Sequence, residues 1–350
     1  MRRRSTSTLR PVCRVPRARR NRRARGVTFA FVLALGISSG TTQRSAQQPG
    51  LQRRLPDDSI STFRVAITID DVPWHGPWPG DTTLALRTSQ LQDALRRYRA
   101  PVAAFVNCRG NDPRVERVIR QWERGGATIG NHTTGHRDLH RAPLIAWAAA
   151  VRDCDRTLRM ALGHPIRFFR FPLLHQGATA EQRDTATAVM RQLGYQNAHV
   201  TIDNSDYIIA PPYRAAVERG DTLALRDYSR LMLRHDLDAV RHFREVSTRT
   251  LGRQVPHILL LHANEMTADN LDELLGALSA EGARFISLDE ALSDPAYRQK
   301  DRYTGTKGLS WLYRLQEAKD GRTKPWQWDD SARGGIVSEL ARVSTASDRY

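Results

Sequence analysis

From Arg64 onward the chain alternates short apolar runs with longer helix-like stretches, and this alternation restricts the fold more than any other feature. Strands are expected at 64–69, 102–107, 127–131, 167–171, 196–201, 256–262 and 284–287. Helices are expected at 81–99, 113–124, 141–162, 179–193, 222–252 and 268–281, several opening on a capping side chain such as Asp81 or Thr179. Strands alternating with helices imply a parallel sheet with crossover helices. About seven such units between residues 64 and 292 predict a closed or nearly closed (β/α) barrel, with a doubly wound open sheet as the alternative. After Leu292 the pattern decays into a polar stretch with scattered aromatics, Trp311, Tyr313, Trp326 and Trp328, read as an extension that packs in part on the barrel.

The formal charge of +17 points toward nucleic acid until its distribution is considered. Residues 1–46 hold twelve arginines and no acid, which leaves an ordinary +5 for everything after them. That first segment has the anatomy of an export signal. An arginine-rich stretch ends at Gly26, an apolar run covers 27–37, and small residues follow at Ser38-Ser39-Gly40 and Ser45-Ala46. The run is shorter than the roughly 20 apolar residues of a membrane-spanning helix. The organisation expected is therefore a signal over 1–46, a linker over 47–62, one domain over 63–292 and an extension over 293–350. The mature protein is expected to be exported, periplasmic or extracellular, with no nucleic-acid partner and no stable membrane span. Cys13 would leave with the signal. Cys108 and Cys154 stay open between a disulfide and two buried thiols.

The chemistry-bearing residues gather where such folds keep their sites, at the C-terminal ends of strands. Asp70-Asp71 follow the first strand, and His132 and His136 follow the third. Arg170-Phe171-Pro172 follow the fourth, Asp203-Asn204-Ser205-Asp206 the fifth, and His262 ends the run at 256–262. Two histidines at i, i+4 fall on one face of a helical turn, which suits joint ligation. One carboxylate plus two imidazoles is the donor set of a catalytic zinc-type site with open positions. Asp70 would then be a spare carboxylate, free to act as a base.

These residues resemble the motifs of the polysaccharide deacetylases, also called the NodB-homology domain or carbohydrate esterase family four. The resemblance spans roughly 62–292, with five motifs in family order: Thr68-Ile69-Asp70-Asp71-Val72, His132 to His136 followed by Arg137-Asp138-Leu139, Arg170-Phe171-Pro172-Leu173, Asp203-Asn204-Ser205-Asp206-Tyr207, and Leu260-Leu261-His262. It implies a distorted (β/α) barrel of about seven parallel strands. It also implies one divalent metal, zinc or else cobalt, nickel or manganese, held by Asp71, His132 and His136. Asp70 would be the base, tuned and kept ionised by Arg170. His262 would be the acid, paired with Asp203. The backbone N–H of Leu173 would serve a developing oxyanion, and Leu260 would line a pocket for an acetyl methyl. The partner implied is an acetylated glycan.

The chain departs from the family pattern in ways that bear on substrate. Val72-Pro73-Trp74-His75-Gly76 replaces a small glycine, and Trp74 and Trp78 are candidates either to stack on a sugar or simply to pack. Leu173 replaces tyrosine, and Tyr207 replaces tryptophan. The long stretch at 222–252 reads as an insertion over the site. The expected function is metal-dependent removal of acetyl groups from peptidoglycan, chitin-type oligomers or xylan. The alternatives are a hydrolase of small non-sugar amides on the same fold and an inactive carbohydrate-binding relative.

Overall fold

The computed structural model of the chain describes residues 62–109, 112–320 and 333–347. The export segment and linker expected before residue 62, together with Trp326 and Trp328, lie outside the described residues. Strand β1 (Phe63–Val72) is buried along its whole length except at Arg64. A strand covered on both faces belongs in the middle of a parallel sheet. It pairs in parallel with β2 (Val102–Cys108) and β7 (His257–His262), and its first residues pair with β8 (Ala283–Phe285). The sheet continues beyond β2 through β3 (Thr128–Thr134), β4 (Phe168–Phe169) and β5 (Gln196–Asn197), and beyond β7 to β6 (Ile202–Asp203).

The two ends of that sheet, β5 and β6, are separated in sequence only by residues 198–201. This link donates the Ala198 N–H to the Phe169 carbonyl and the Thr201 N–H to the Ile258 carbonyl. One short segment therefore bonds to both edges, and the sheet curls into a half-barrel. The barrel expected from the alternation is the fold, distorted rather than evenly closed.

Helices α1 (Asp81–Arg97), α2 (Pro113–Arg124), α3 (Leu144–Leu162), α4 (Ala180–Gln192), α5 (Ala210–Arg219), α6 (Thr222–Leu251) and α7 (Glu265–Ala280) wrap the outside. Their starts follow capping chemistry. Asp112 accepts from the Arg114 N–H ahead of Pro113, Thr179 from Gln182, Asp221 from Ala224 and Asn264 from Thr267. Helix α5 was not expected, because its Ala-Pro-Pro start reads as a loop; proline is tolerated in a first turn, where its missing N–H has no intrahelical partner. Further on come α8 (Leu288–Leu292), α9 (Trp311–Asp320) and α10 (Arg333–Ser347).

Strand alternation sorts the core into two layers. Val65, Ile67, Ile69, Val102, Ala104, Val106, Leu259 and Leu261 face the helices. Ala66, Ala103, Phe105, Phe168 and Ile258 face the barrel interior, where Leu288, Leu292, Tyr297 and Trp311 pack with them. The interior is tight at one point: a Cβ on Gly130 would come within 2.4 Å of the Phe105 ring, so only glycine fits. The extension thus takes part in the core through Trp311, which stacks on His199 at 3.9 Å and donates its indole N–H to the Ala296 carbonyl.

The thirty-residue α6 corrects the expectation of a cover over the site. Tyr228, Leu231, Met232, Val240 and Phe243 bury it in the outer layer, and none of its residues lines the cavity at the strand ends. No helix among the described residues is long and apolar enough to cross a membrane.

Cys108 at the end of β2 and Cys154 in α3 form a disulfide across 46 residues of chain. Loop-closure entropy for a link of that span corresponds to about 4 kcal/mol. Reduction, or Cys154→Ser, is expected to lower the denaturation midpoint accordingly. An unchanged midpoint in urea with and without reductant would refute that contribution.

Candidate active site

The inward face of β1 carries Ala66, Thr68 and Asp70 toward the C-terminal rim, and simple alternation would send Asp71 outward. It does not go there. Asp71 has φ of 59° and the pairing register breaks between Ile69 and Val72, so both carboxylates line one cavity of about 450 Å³. A bulge that re-aims a side chain at a strand end is a common way to build a site.

His132 points inward from β3, two residues beyond Gly130. Its Nδ1–H donates to the Arg170 carbonyl at 2.9 Å, which leaves Nε2 for the cavity. His136 reaches it by another route than the helical turn expected from the i, i+4 spacing. β3 runs on to Thr134, and left-handed residues Thr133, Gly135 and His136 then reverse the chain. The two rings end 4.9 Å apart, centroid to centroid. Asn107 ties this turn to Asp71: its side-chain carbonyl accepts the His136 N–H at 3.0 Å and its NH₂ donates to Asp71 Oδ1 at 3.1 Å.

Arg170 is buried under the cavity floor. It donates from Nη1 to Asp70 Oδ1 at 3.0 Å, from both terminal nitrogens to Thr68 Oγ1, and from Nε to the Ala198 carbonyl at 2.7 Å. Its guanidinium lies 4.4 Å from the centre of the Phe105 ring. Across the sheet, His262 pairs in register with Asp70. The imidazole Nδ1–H donates to Asp206 Oδ1 at 2.6 Å and the His262 backbone N–H to Asp206 Oδ2 at 2.9 Å. This corrects the expected partner: Asp206, not Asp203, holds His262. Asp203 does line the cavity, but its Oδ1 accepts the Ser205 N–H, and its charge acts on Arg170.

The electrostatics separate the groups. Burial works against the Asp71 carboxylate, yet the hydrogen bond from His75 and the imidazoles of His136, His132 and His262 hold it far below the ordinary range. Burial pushes Asp70 up by more than Arg170 and His262 pull it down. Arg170 was expected to keep Asp70 ionised; burial offsets it and leaves a more basic carboxylate. Burial also presses His132 and His136 down to about 4, so both imidazoles are neutral near pH 7 and keep a lone pair. Burial opposes charge on His262 too, but Asp206 outweighs it, with help from Asp71 and Asp70, and lifts it to about 10.

These differences bear on whether a metal fits. Asp71, His132 and His136 offer ligand atoms within 4.8 Å of one another, and among the described residues Asp70 belongs to no such cluster. A second cluster, Asp71 with His75 and His262, has the same compactness. It suits a cation less well, because His262 is protonated near neutrality and the His75 Nδ1–H is already given to Asp71 Oδ2 at 2.7 Å. The first set has a carboxylate, two neutral imidazoles and a carbonyl orienting one of them, which matches what an open divalent site requires.

Of the residues expected to meet substrate, Leu173, Leu260 and Tyr207 line the cavity. Tyr207 stands edge-on to His262, and Leu260 packs with Leu174 and Val200. Trp74 does not line it. It is 1% exposed, its indole N–H donates to Glu265, and it has no face to offer a sugar. Glu265 also binds Arg214, whose Nη2 donates to the His75 carbonyl. That clamp turns His75, absent from the expected set, into the cavity. His75, Asn107 and Asp206 are the functional candidates that sequence reasoning missed. His75 lay in the loop already marked as departing from the family pattern, and Asp206 lay inside a quoted motif.

Residues 59–198 match the family model described as Polysaccharide deacetylase. Among curated proteins the chain is similar to a chitin deacetylase of Arthroderma benhamiae, 25% identical over 173 residues, covering 46% of this chain and 42% of that protein. The chain thus spans about two-fifths of that relative's length. Among solved structures it is similar to the peptidoglycan deacetylase PdaC from Bacillus subtilis, at 18% identity and a TM-score of 0.44, over 67% of this chain and 93% of that one. It is similar also to a CE4 family pseudoenzyme from Bacillus anthracis, at 15% identity and a TM-score of 0.45, over 67% and 66%.

Proposed function

We propose that this chain, whose residues 59–198 belong to the polysaccharide deacetylase family, is a metal-dependent hydrolase that removes acetyl groups from an N- or O-acetylated carbohydrate. One observation carries the reading. Asp71, His132 and His136 converge at the rim, while Asp70, the next residue along, stays outside their cluster on Arg170. Asp71, His132 and His136 would hold the cation, zinc or else cobalt, nickel or manganese. A divalent cation bound there supplies Lewis-acid polarisation of an acyl carbonyl and a more acidic water.

The side chains do the rest. Asp70, held through Oδ1 by Arg170, takes the proton of the attacking water. Its raised affinity for a proton, caused by burial, makes it a stronger base. His262, fixed through Nδ1 by Asp206, gives a proton from Nε2 to the departing nitrogen or oxygen. Leu173 contributes its backbone N–H to the developing oxyanion. Leu260, beside Leu174 and Val200, receives the acetyl methyl. Chitin-type and peptidoglycan chains are the first glycans to try, since the similar proteins carry those names. The arginine-rich and apolar start, and the Cys108–Cys154 disulfide, support export to an oxidising compartment.

The test is acetate release by the purified protein from chitin oligomers, peptidoglycan, acetylated xylan and small amides. A chelator should abolish release, and added zinc or cobalt should restore it. Turnover that survives verified removal of metal, or no acetate from any substrate, would end the proposal.

A further inference from the structure

The charges lining the cavity are segregated by depth. Its acidic residues, Asp70, Asp71 and Asp203, all lie on the floor, none more than 6% exposed. Its mouth carries Arg141 and Lys307, both exposed. The floor carboxylates already face Arg170 and the imidazoles, so their charge is met from within. The two mouth cations lie at its exposed rim.

The loops that carry them are anchored. Arg141 sits in the turn after His136, with Nε 3.5 Å from Asp138 Oδ2, and Asp138 is fixed in turn through Oδ1 by the His175 ring and the His140 N–H. Lys307 comes from the extension, beyond the family-matched segment. Its loop is pinned by the Ser310 hydroxyl on the Thr201 carbonyl at 2.8 Å and the Trp311 N–H on the Val200 carbonyl at 2.6 Å. Gly308 lies so close over the Leu173 carbonyl that a Cβ there would approach it to 1.8 Å. The cation beside that glycine is therefore carried on a fixed wall. Such preorganisation reduces the ordering cost of binding an anion.

We propose that Arg141 and Lys307 form a carboxylate-binding subsite at the mouth, so that the preferred substrate is an acetylated ligand bearing a carboxylate close to its acetyl group. This deepens the hydrolase reading and rests on it. A sugar acid and an acyl amino acid share that chemistry, and matched pairs separate them. N-acetylmuramic acid differs from N-acetylglucosamine by its lactyl carboxylate; N-acetylalanine differs from N-acetylalaninamide likewise.

Binding of all four probes is measured by calorimetry on the full protein with zinc, for wild type and for Arg141→Gln with Lys307→Gln. Two charge-assisted contacts should give the acid of the favoured pair about a tenfold advantage. The advantage should shrink with added salt and vanish in the double variant. Whichever pair shows it names the source of the carboxylate. No preference for the acid in either pair, or a preference that survives the double substitution, overturns the subsite. Acetate release from chitin oligomers by the wild-type protein is followed alongside. Absent release with the acid preference intact sinks the hydrolase reading alone.

Discussion

Asp70→Asn should cut acetate release by about 10³-fold, the range expected for loss of a general base, and should leave the bound cation in place. The argument starts from two adjacent carboxylates that the fold puts to different uses. Asp71 lies among the imidazoles, and its oxygens accept from Asn107 and His75. Asp70 has one oxygen on Arg170 and the other 3.7 Å from His132 Nε2. Asparagine keeps the volume and one acceptor for Arg170 but cannot take a proton. Asp71→Asn, by contrast, should lose cation and turnover together. The measurements are metal content by atomic absorption and acetate release, on both variants. Equal metal loss in the two would contradict the division of labour. The Asn side chain also removes the carboxylate charge bonded to a buried guanidinium, leaving only the more distant Asp203, which is destabilising, so thermal melting must show that the variant is folded before its rate is interpreted.

The sequence announced the fold well and the site unevenly, for physical reasons. Strand and helix periods are local, and every expected strand and helix has a counterpart, although of the expected run at 196–201 only Gln196–Asn197 is strand (β5), and β6 follows it at Ile202–Asp203. Rim placement followed from that alternation alone. Local spacing failed where the backbone leaves the regular regions. The histidine pair reads as a helical face, yet left-handed residues at 133, 135 and 136 bring the rings together. Long-range contacts were invisible. An aromatic after a strand fits a wall or a core equally, and only Glu265, 191 residues away, decides that Trp74 is core. The loop that brings Lys307 to the mouth is placed by Thr201 and Val200, more than a hundred positions upstream.

The choice between Asp203 and Asp206 was beyond local reading for the same reason, and it yields the second large effect. The strand ends at Asp203, Ser205 turns left-handed, and only then does Asp206 face His262. Asp206→Asn removes the carboxylate that lifts this histidine to about 10 against its burial. A group that donates a proton is competent below its pKa, so the alkaline limb of kcat should move down by about 1–3 pH units. At pH 9 the loss should then lie between about 2-fold and about 10²-fold according to the size of that shift, with a much smaller loss near pH 6. Asp203→Asn should leave the limb where it is. A limb that moves in the Asp203 variant and stays in the Asp206 variant would restore the original pairing. Stability gives a second readout with a defined sign. His262 titrates higher folded than the 6.5 of a free imidazole. Its pairing therefore stabilises fully below about 6.5 and is lost as pH rises through about 10. The gap in denaturation midpoint between wild type and Asp206→Asn should accordingly be wide at pH 6 and narrow toward pH 10. A gap that does not change with pH would show that Asp206 acts by packing and not by charge.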